Sequence, residues 1–367
     1  MEILLLSDRL NGGGVETVLQ SVSADLIRAG HRVTLWTPEG TRQELREHYP
    51  PALRYRRYPF WKKDAKPYTL SWLFQRACRV LLEQGLFRLK KWDRVVAMKE
   101  AQSMRIAARL RADKKLGWIH TDFTTLHWTK YFFRSDAEEL QCMQGFDRLA
   151  CVSDAARRSV IQTLGDPGNL CVRYNPIDAA AIREKAKARP ADAVRTGGKP
   201  LLVAVGRLDK GKRFDLLIEL CRELQAEVPH ELWIVGGGEE EEALKQQCAS
   251  LAFVRLLGQK ENPYPYIAAA DLLVSASESE SYGLTVQEAL ILGVPVLACA
   301  CPAIAENLDE RFGKLTGFSR QELREGLRAL LTQPELAAQY RENIRQSYDC
   351  SLLWQPRLDA IRSLIEE

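Results

Sequence analysis

The stretch that decides the fold lies at residues 201–213 and reads Leu201-Leu202-Val203-Ala204-Val205-Gly206-Arg207-Leu208-Asp209-Lys210-Gly211-Lys212-Arg213. A short, continuous apolar run that ends at a glycine is typical of a strand buried on both faces of a parallel sheet. Apolar residues at helical spacing over 214–224 predict that a helix follows the loop. Strand, glycine loop and helix together predict a doubly wound α/β domain.

The beginning of the chain repeats this order. A predicted strand at 3–6 precedes the glycines at 12–14, and a helical pattern over 15–27 ends at Gly30. Further apolar runs predict strands at 32–36, 94–97, 117–119, 148–152 and 171–174, and then at 231–235, 252–256, 271–275 and 294–298. We therefore expect two Rossmann-like doubly wound domains, 1–175 and 176–349, joined by the segment 175–200.

Composition limits the class of protein. The 367 residues are 46% hydrophobic and 27% charged, which is typical of a globular chain long enough for two domains. The first residues predict no signal peptide, and no uncharged apolar stretch approaches the length of a membrane span. The nine cysteines lack metal-finger spacing, so we expect free thiols and a cytoplasmic location.

Charge is unevenly distributed along the chain. Residues 1–175 carry 29 Lys and Arg against 19 Asp and Glu, whereas residues 176–367 carry 23 against 29. Much of the basic excess lies in the segment 54–92, where cations alternate with aromatic residues. This segment predicts peripheral contact with an anionic membrane or a phosphate-bearing acceptor, or else a solvated basic face. We find no nucleic-acid-binding motif and expect no nucleic acid partner.

A second informative stretch follows the predicted strand at 271–275 and reads SESESYGLTVQEAL from Ser277 to Leu290. Its pattern places Glu280 in a loop, the free amides of Gly283, Leu284 and Thr285 at a helix N-terminus, and Glu288 one to two turns into that helix. The amides favour an anion, and the two carboxylates could hold the hydroxyls of a ribose or a sugar. The alternative is an acidic, solvated loop followed by a helical glutamate.

The loop 206–213 carries four cations. Arg207 and Lys212 suit a diphosphate, because Arg offers a bidentate fork and Lys a point charge. The alternative is exposed charge paired with Asp209 and Asp215. That alternative fits Lys210 and Arg213 better than it fits the other two cations.

Two glycine-rich loops leave a dehydrogenase open as a further interpretation. The loops at 12–14 and 236–238 each fall one glycine short of the dinucleotide fingerprint, and Glu39 could imitate the acidic residue that binds an NAD ribose. The glutamates at 239–242 disfavour a pyrophosphate beside the second loop, because like charges repel.

These motifs, in this order, resemble those of retaining, nucleotide-sugar-dependent glycosyltransferases of family four, which have the two-domain GT-B fold. The resemblance covers nearly the whole chain. It rests on the glutamate pair around Gly283-Leu284-Thr285, on Gly206-Arg207 with Lys212, and on Gly13-Gly14-Val15-Glu16, Asn175-Pro176-Ile177-Asp178 and Gly293-Val294-Pro295-Val296. It implies two Rossmann-like domains that face each other across a cleft, with the acceptor side in the first domain. It also implies a C-terminal helix, from about residue 350 to 367, that packs back on that domain.

The resemblance also implies roles for single residues. Arg207 and Lys212 would bind the donor diphosphate, assisted by the amides of Gly13 and Gly14 and of residues 283–285. Glu288 would bind the ribose and Glu280 the transferred sugar. His120 would lie beside that sugar and donate to one of its hydroxyls or to the developing charge. Without the resemblance, His120 after a predicted strand is better interpreted as structural. Asp122 and His127 have no spacing typical of a metal site, and the family needs neither a metal nor another cofactor.

Three positions depart from the family pattern. Arg213 replaces the usual glycine after the lysine, Tyr282 replaces a phenylalanine, and Cys301-Pro302-Ala303 replaces a common glycine pair. The last change predicts a stiffer loop and puts sugar contacts there in doubt.

The expected function is therefore transfer of a sugar, from a UDP-sugar by family frequency, to a hydroxyl of a glycan or lipid-linked acceptor. The expected setting is the biosynthesis of a cell-surface polysaccharide or glycolipid, in the cytoplasm or peripherally on the inner face of the membrane. A catalytically silent scaffold and an NAD-dependent dehydrogenase are the alternatives. The intact set of site residues disfavours the first, and the missing third glycines and the cationic loop disfavour the second.

Overall fold

The computed structural model describes residues 1–8, 13–37, 48–57, 90–190, 192–195 and 197–367. They form two compact α/β units, one from Met1–Pro176 with Gln355–Glu367, the other from Ile177–Trp354. Within these described ranges, no helix is both long enough and apolar enough to cross a bilayer.

The first unit contains a seven-stranded parallel sheet with strand order β3-β2-β1-β4-β5-β6-β7. Its strands are β1 (Glu2–Leu6), β2 (Arg32–Thr37), β3 (Arg54–Arg57), β4 (Lys91–Ala97), β5 (Arg111–Ile119), β6 (Arg148–Cys151) and β7 (Leu170–Val172). Its described helices include α1 (Gly14–Arg28), α2 (Gln102–Arg109), α3 (Asp136–Gln144) and α4 (Asp154–Leu164).

The second unit repeats the architecture with a six-stranded parallel sheet, ordered β10-β9-β8-β11-β12-β13. Its strands are β8 (Leu201–Val205), β9 (Glu231–Val235), β10 (Val254–Leu256), β11 (Leu272–Ser275), β12 (Val296–Cys299) and β13 (Gly313–Thr316). Its helices are α5 (Ala179–Ala186), α6 (Phe214–Leu224), α7 (Glu241–Cys248), α8 (Tyr264–Ala268), α9 (Leu284–Ile291), α10 (Pro302–Asn307), α11 (Arg320–Thr332) and α12 (Pro334–Ser347).

The second sheet is covered on both faces, as its apolar strands predict. Along β8, Leu202 joins one apolar cluster while Leu201 and Val203 join another, because successive side chains of a strand point to opposite faces. Helix α6 buries Leu217 and Leu224 against the first cluster. Each such leucine contributes roughly 1.5–3 kcal/mol by leaving water. The predicted doubly wound fold is confirmed in both units.

Each sheet reverses its winding direction at one point. In the first, the chain continues from β3 on one side of β1 to β4 on the other; in the second, it continues from β10 to β11 across β8. Loops on the two sides of such a point diverge, and this leaves a crevice at the carboxyl ends of the strands. The crevices of the two units therefore lie beside the β1 and β4 loops and beside the β8 and β11 loops.

The sequence patterns missed two edge strands and misjudged one segment. Strand β3 is Arg54-Tyr55-Arg56-Arg57 and lacks an apolar run, and β13 contains a lysine beside its glycine.

The predicted joining segment 175–200 contains helix α5, which packs against α8 and α9 inside the second unit. The change from one unit to the other occurs between Pro176 and Ile177.

The last helix, α13 (Gln355–Glu366), belongs to the first unit. Arg94 Nε donates to the carbonyl of Ile365 at 2.7 Å, and Arg362 forms an ion pair with Asp25 of α1, also at 2.7 Å. The helix begins at Gln355 and not near residue 350, because Ser351 hydrogen-bonds the Asp349 carboxylate in a turn that interrupts the helical backbone.

Candidate functional site

The loops after β8 and β11 meet at the winding reversal of the second sheet. The amide of Glu278 donates to the carbonyl of Gly211 at 2.9 Å, which joins the two loops through their main chains. Beside this bond, Lys212 Nζ donates to Glu280 Oε1 at 2.5 Å. The lysine and glutamate side chains are 21% and 17% exposed. The structure thus brings together two of the predicted site residues, a cation and a carboxylate, at one point of the crevice.

Arg213 adopts a backbone conformation that normally favours glycine. Its φ is 51° and its ψ 38°, in the left-handed region, at the residue that precedes α6. Two ion pairs hold its side chain, one to Glu278 at 2.6 Å and one to Asp215 at 3.3 Å. The usual glycine of the family pattern is therefore explained by the turn, and the arginine keeps that turn despite the steric cost of its Cβ.

Arg207 pairs with a different carboxylate from Lys212. Its Nε donates to Asp209 Oδ2 at 2.8 Å, and its side chain is 74% exposed. Exposed charge paired with Asp209 or Asp215 was expected more for Lys210 and Arg213 than for Arg207. Arg213 does pair with Asp215, but Arg207 also has such a partner, which was not expected. Since an exposed ion pair of this kind contributes little stability, the guanidinium can exchange Asp209 for another anion at low cost.

The glycines at 236–238 serve to pack one loop against another. A Cβ on Gly236 would collide with the carbonyl of Gly206, and one on Gly238 with the main chain of Leu208. The Leu208 amide also donates to the carbonyl of Gly237 at 3.0 Å. This glycine loop therefore supports the cationic loop from behind, which accounts for it without a dinucleotide.

Helix α9 begins where the sequence predicts. Gly283 precedes it with a φ of 76°, a left-handed conformation, and Leu284 and Thr285 form its first turn. The first amides of a helix have no acceptor within the helix, and they make this end favourable for an anion. These amides follow Glu280 by a few residues, so the anion-binding end of α9 and the Lys212–Glu280 pair belong to one loop.

Glu288, in the second turn of α9, lies in a different environment. It is half-buried, and the Tyr264 hydroxyl lies 3.4 Å from its Oε1. Loss of water raises the pKa of the Glu288 carboxyl to about 7, although the hydrogen bond from Tyr264 opposes this shift. The carboxyl is therefore divided between its protonated and ionised forms at neutral pH.

In the first unit, Gly13 and Gly14 stand at the start of α1. Gly13 is extended, with φ at −166°, and a Cβ built on it would meet no atom within 4 Å. Packing in the described residues does not require a glycine there, and the open space leaves the main chain accessible to a ligand. Gly12 and Glu39 lie outside the described residues, as do residues 58–89 of the segment 54–92.

His120 directly follows β5 and is 8% exposed. Burial lowers the pKa of its imidazole to about 4, and a hydrogen bond with the main chain of Met98 opposes this only in part. Nε2 is buried without a hydrogen-bond partner among the described residues, so Nδ1 is the nitrogen that bonds Met98. A neutral imidazole that donates from Nδ1 leaves Nε2 as an acceptor.

Asp122 and His127 have local partners. Asp122 accepts hydrogen bonds from the amide and hydroxyl of Thr124, at 2.9 and 2.6 Å, and His127 pairs with Glu139 at 2.9 Å. Nowhere in the described ranges do three His, Cys, Asp or Glu side chains converge as metal ligands would. Both residues thus stabilise the loop that follows His120.

Two family models match the chain in succession. The model described as Glycosyltransferase Family 4 matches residues 12–181, and the model described as Glycosyl transferases group 1 matches residues 186–347. Together they cover nearly all of both units. The chain belongs to the family four glycosyltransferases.

Curated relatives of this family member include two bacterial enzymes. An N-acetylgalactosaminyltransferase of Campylobacter jejuni that acts on a diphospho-undecaprenol-linked acceptor is 29% identical over 180 residues, 47% of each chain. The lipopolysaccharide glucosyltransferase WaaG of Escherichia coli is 31% identical over 161 residues, 42% of this chain and 43% of WaaG. The match thus spans less than half the length of either relative.

Among solved structures, Anabaena HepE in complex with UDP and glucose superimposes with a TM-score of 0.76 at 19% identity, over 100% of this chain and 99% of HepE. At this identity the likeness concerns the fold, and it confirms the predicted GT-B class.

Two polar residues at these sites have no counterpart among the sequence predictions. Tyr264, at the start of α8, contacts Glu288, and Glu100, after β4, contacts the main chain of His120. The sequence could have indicated Glu100, because it follows a predicted strand and ligand sites in parallel sheets form at the carboxyl ends of the strands. Tyr264 had none, since its partner lies 24 residues away on another helix.

Proposed function

We propose that this family member is a retaining glycosyltransferase. It moves a sugar from a nucleotide-sugar, with UDP as the nucleotide, to a hydroxyl of a glycan or lipid-linked acceptor. The observation that carries the proposal is the contact between Lys212 and Glu280. A donor sugar needs a cation for its diphosphate and a carboxylate for its sugar hydroxyls within a few ångströms of each other. This pair supplies both at the winding reversal of the second sheet.

The proposed chemistry is mainly electrostatic. The bond between the anomeric carbon and the phosphate oxygen breaks with its electron pair on the diphosphate, and stabilising this charge lowers the barrier. Lys212 has three N–H donors, of which one bonds Glu280 and the others remain for phosphate oxygens. Arg207 and the amides at 283–285 add positive charge, and Gly13 and Gly14 offer main-chain donors.

The remaining roles concern hydroxyl groups. Glu288 binds the ribose, and in its protonated form it can donate to one hydroxyl as well as accept from another. Glu280 accepts from hydroxyls of the transferred sugar. The resemblance implies that His120 donates to a sugar hydroxyl or to the developing charge. Because the buried ring is neutral at pH 7 and its Nδ1 is engaged by Met98, we assign its Nε2 instead as an acceptor for a sugar hydroxyl. The acceptor hydroxyl attacks the anomeric carbon on the face from which the diphosphate departs, so the anomeric configuration is retained. The departing phosphate oxygen then lies beside this hydroxyl and can take its proton.

Two further points belong to the proposal. The cations of the loop 206–213 neutralise the diphosphate, so we assign the reaction no metal and no other cofactor. The diphospho-undecaprenol-linked acceptor of the Campylobacter relative and the lipopolysaccharide role of WaaG support a setting in cell-surface polysaccharide or glycolipid biosynthesis. We therefore place the protein in the cytoplasm, with the segment 54–92 as a peripheral contact to the inner face of the membrane.

A thermal-shift panel with UDP, GDP, ADP, CMP and NAD tests the proposal. A ligand that binds only the folded state raises the melting temperature by mass action. We expect UDP to give the largest shift, equal with and without EDTA, and both Arg207→Ala and Glu288→Ala to reduce it. A shift with NAD alone would contradict the proposal. Binding of UDP without turnover of any UDP-sugar would favour the scaffold alternative.

A further inference from the structure

Glu100 is a fully buried carboxylate that the proposed chemistry does not use. It follows β4 at the winding reversal of the first sheet and has 0% exposure. An ionisable side chain is seldom buried to this degree unless partners compensate for the lost water. Its position therefore depends on the groups that contact it.

These contacts join two loops. Glu100 Oε2 accepts a hydrogen bond from the His120 amide at 3.1 Å, and Oε1 accepts one from the Thr121 hydroxyl. Trp128 Nε1 donates to the same hydroxyl oxygen at 3.1 Å. The Glu100 carboxylate, in the loop after β4, therefore contacts both His120 and Thr121, the two residues that follow β5. The Thr121 hydroxyl links it in turn to Trp128.

The backbone beside Glu100 is strained. Ala101, the next residue, has a φ of 66° and a ψ of −113° and is 1% exposed. A non-glycine residue in so sparsely populated a region is strained and persists only where its surroundings fix it. This strained residue lies between Glu100 and α2 and sets the direction in which the main chain enters the helix.

These contacts hold His120 in place. Met98, two residues before Glu100, bonds one side of the imidazole, while Glu100 binds the main chain that carries it. The β4 loop therefore holds His120 at both its ring and its backbone. Only Nε2 is left without a partner among the described residues.

We propose that Glu100 is a positioning residue for His120. By fixing the main chain at His120 and the hydroxyl of Thr121, it keeps the imidazole in one tautomer and directs Nε2 toward the ligand. The catalytic consequence rests on the proposed function, whereas the orientation of the ring does not.

The activity test is a double-mutant cycle. The rate of UDP release from UDP-glucose, UDP-galactose and UDP-N-acetylglucosamine is measured without acceptor for wild type, Glu100→Gln, His120→Ala and the double variant. We expect Glu100→Gln to lower kcat at least tenfold, with KM changed less than twofold, because Lys212 and Arg207, the cations proposed to bind the diphosphate, belong to the other unit. When His120→Ala is already present, adding Glu100→Gln should lower kcat less than twofold. An equal loss in both backgrounds, or no loss, would overturn the inference.

A second measurement needs no turnover. In protein labelled with ¹⁵N at histidine, the His120 signals, assigned by comparison with His120→Ala, should show one neutral tautomer in wild type. They should show an average of two tautomers in Glu100→Gln. Thr121→Val, at a half-exposed position, serves as the milder variant if Glu100→Gln does not fold, and we expect a smaller change of the same sign. Unchanged tautomer signals in the folded variant would overturn the inference even if the protein is an active transferase. Absence of nucleotide binding and turnover with changed signals would refute the proposed function alone.

Discussion

The loop before α9 and the second turn of α9 each carry a glutamate, and the two carboxyls differ sharply. Glu280 is paired with Lys212 at 2.5 Å. Glu288 has one hydrogen-bond partner among the described residues, the Tyr264 hydroxyl at 3.4 Å, and burial raises its pKa to about 7. Two residues of the same type, eight positions apart, therefore present a charged acceptor in the loop and a carboxyl in the helix that is divided between its protonated and ionised forms at neutral pH.

This difference teaches how one motif can serve two kinds of hydroxyl. A paired carboxylate accepts hydrogen bonds only, whereas a protonated carboxyl both donates and accepts. The sugar end of a donor lies beside developing positive charge, where a carboxylate is favourable. The ribose remains neutral throughout, so an uncharged group is adequate there and does not repel the diphosphate.

The largest expected effect on activity comes from removing Lys212, the cation of the Lys212–Glu280 ion pair. Lys212→Ala leaves Glu280 without its ion-pair partner and removes one of the proposed donors to the diphosphate. We expect kcat for whichever UDP-sugar wild type turns over fastest to fall by about 10²–10³, as for the loss of one charge-stabilising donor.

Lys245→Ala is the control for that change. Lys245 is also paired with glutamates, at 3.0 and 2.7 Å, but it lies on the surface of α7. Its replacement should leave kcat within twofold of wild type. Equal losses for the two variants would show that Lys212 acts through general electrostatics and not at the site.

The second prediction concerns the pH dependence of stability that Glu288 confers. The pKa of this carboxyl is 4.5 in the unfolded chain and about 7 in the folded one, so the folded state binds more protons between these values. Stability conferred by Glu288 is therefore present below about pH 4.5 and is lost as pH rises through 7. Relative to wild type, Glu288→Gln should gain about 1–3 kcal/mol between pH 4.5 and pH 8.

Urea unfolding of both proteins at several pH values measures this gain. Contributions of other groups, such as Asp8, whose pKa burial raises to about 6, cancel in the comparison. Glu280→Gln is the matched control, and its stability relative to wild type should not rise with pH. If the free energies of unfolding of wild type and Glu288→Gln differed by the same amount at every pH, the contrast between the two glutamates would be contradicted.

The smallest expected effect concerns the left-handed turn at Arg213. Arg213→Ala loses both ion pairs but keeps the Cβ, whereas Arg213→Gly loses the ion pairs and relieves the backbone. We expect the glycine variant to be more stable than the alanine variant by about 0.5–1 kcal/mol, because both lose the ion pairs and only glycine relieves the left-handed backbone. Equal melting temperatures would show that the turn relaxes in the variants and that the loop supporting Lys212 is less rigid than described.

The predictable part of this protein lies in its local patterns. The strand at Leu201–Val205 and the helix at Phe214–Leu224 were predicted with their observed bounds, because continuous apolar runs and helical spacing report burial directly. The N-terminus of α9 after Gly283 was predicted from the same kind of pattern. Edge strands β3 and β13 were not, since a strand with one covered side needs no apolar run.

Contacts between distant segments could not be predicted. The sequence showed glycines at 236–238 but not that they pack against Gly206 and Leu208, about 30 residues earlier. It likewise showed Arg207 and Lys212 as equivalent cations, whereas the fold pairs one with Asp209 and the other with Glu280. Such pairings depend on the positions of loops around the sheet, and residue type and spacing do not encode them.

The sequence by itself determined the two doubly wound units, the family and the set of candidate residues, because hydrophobic periodicity and residue chemistry are local properties of the chain. Tertiary structure alone decided the environment of each candidate. Burial determines the protonation of Glu288, Met98 and Glu100 determine the orientation of His120, and the neighbouring loop determines that Lys212 pairs with Glu280. Desolvation and hydrogen-bond geometry depend on everything that surrounds a group, and only the folded chain defines those surroundings.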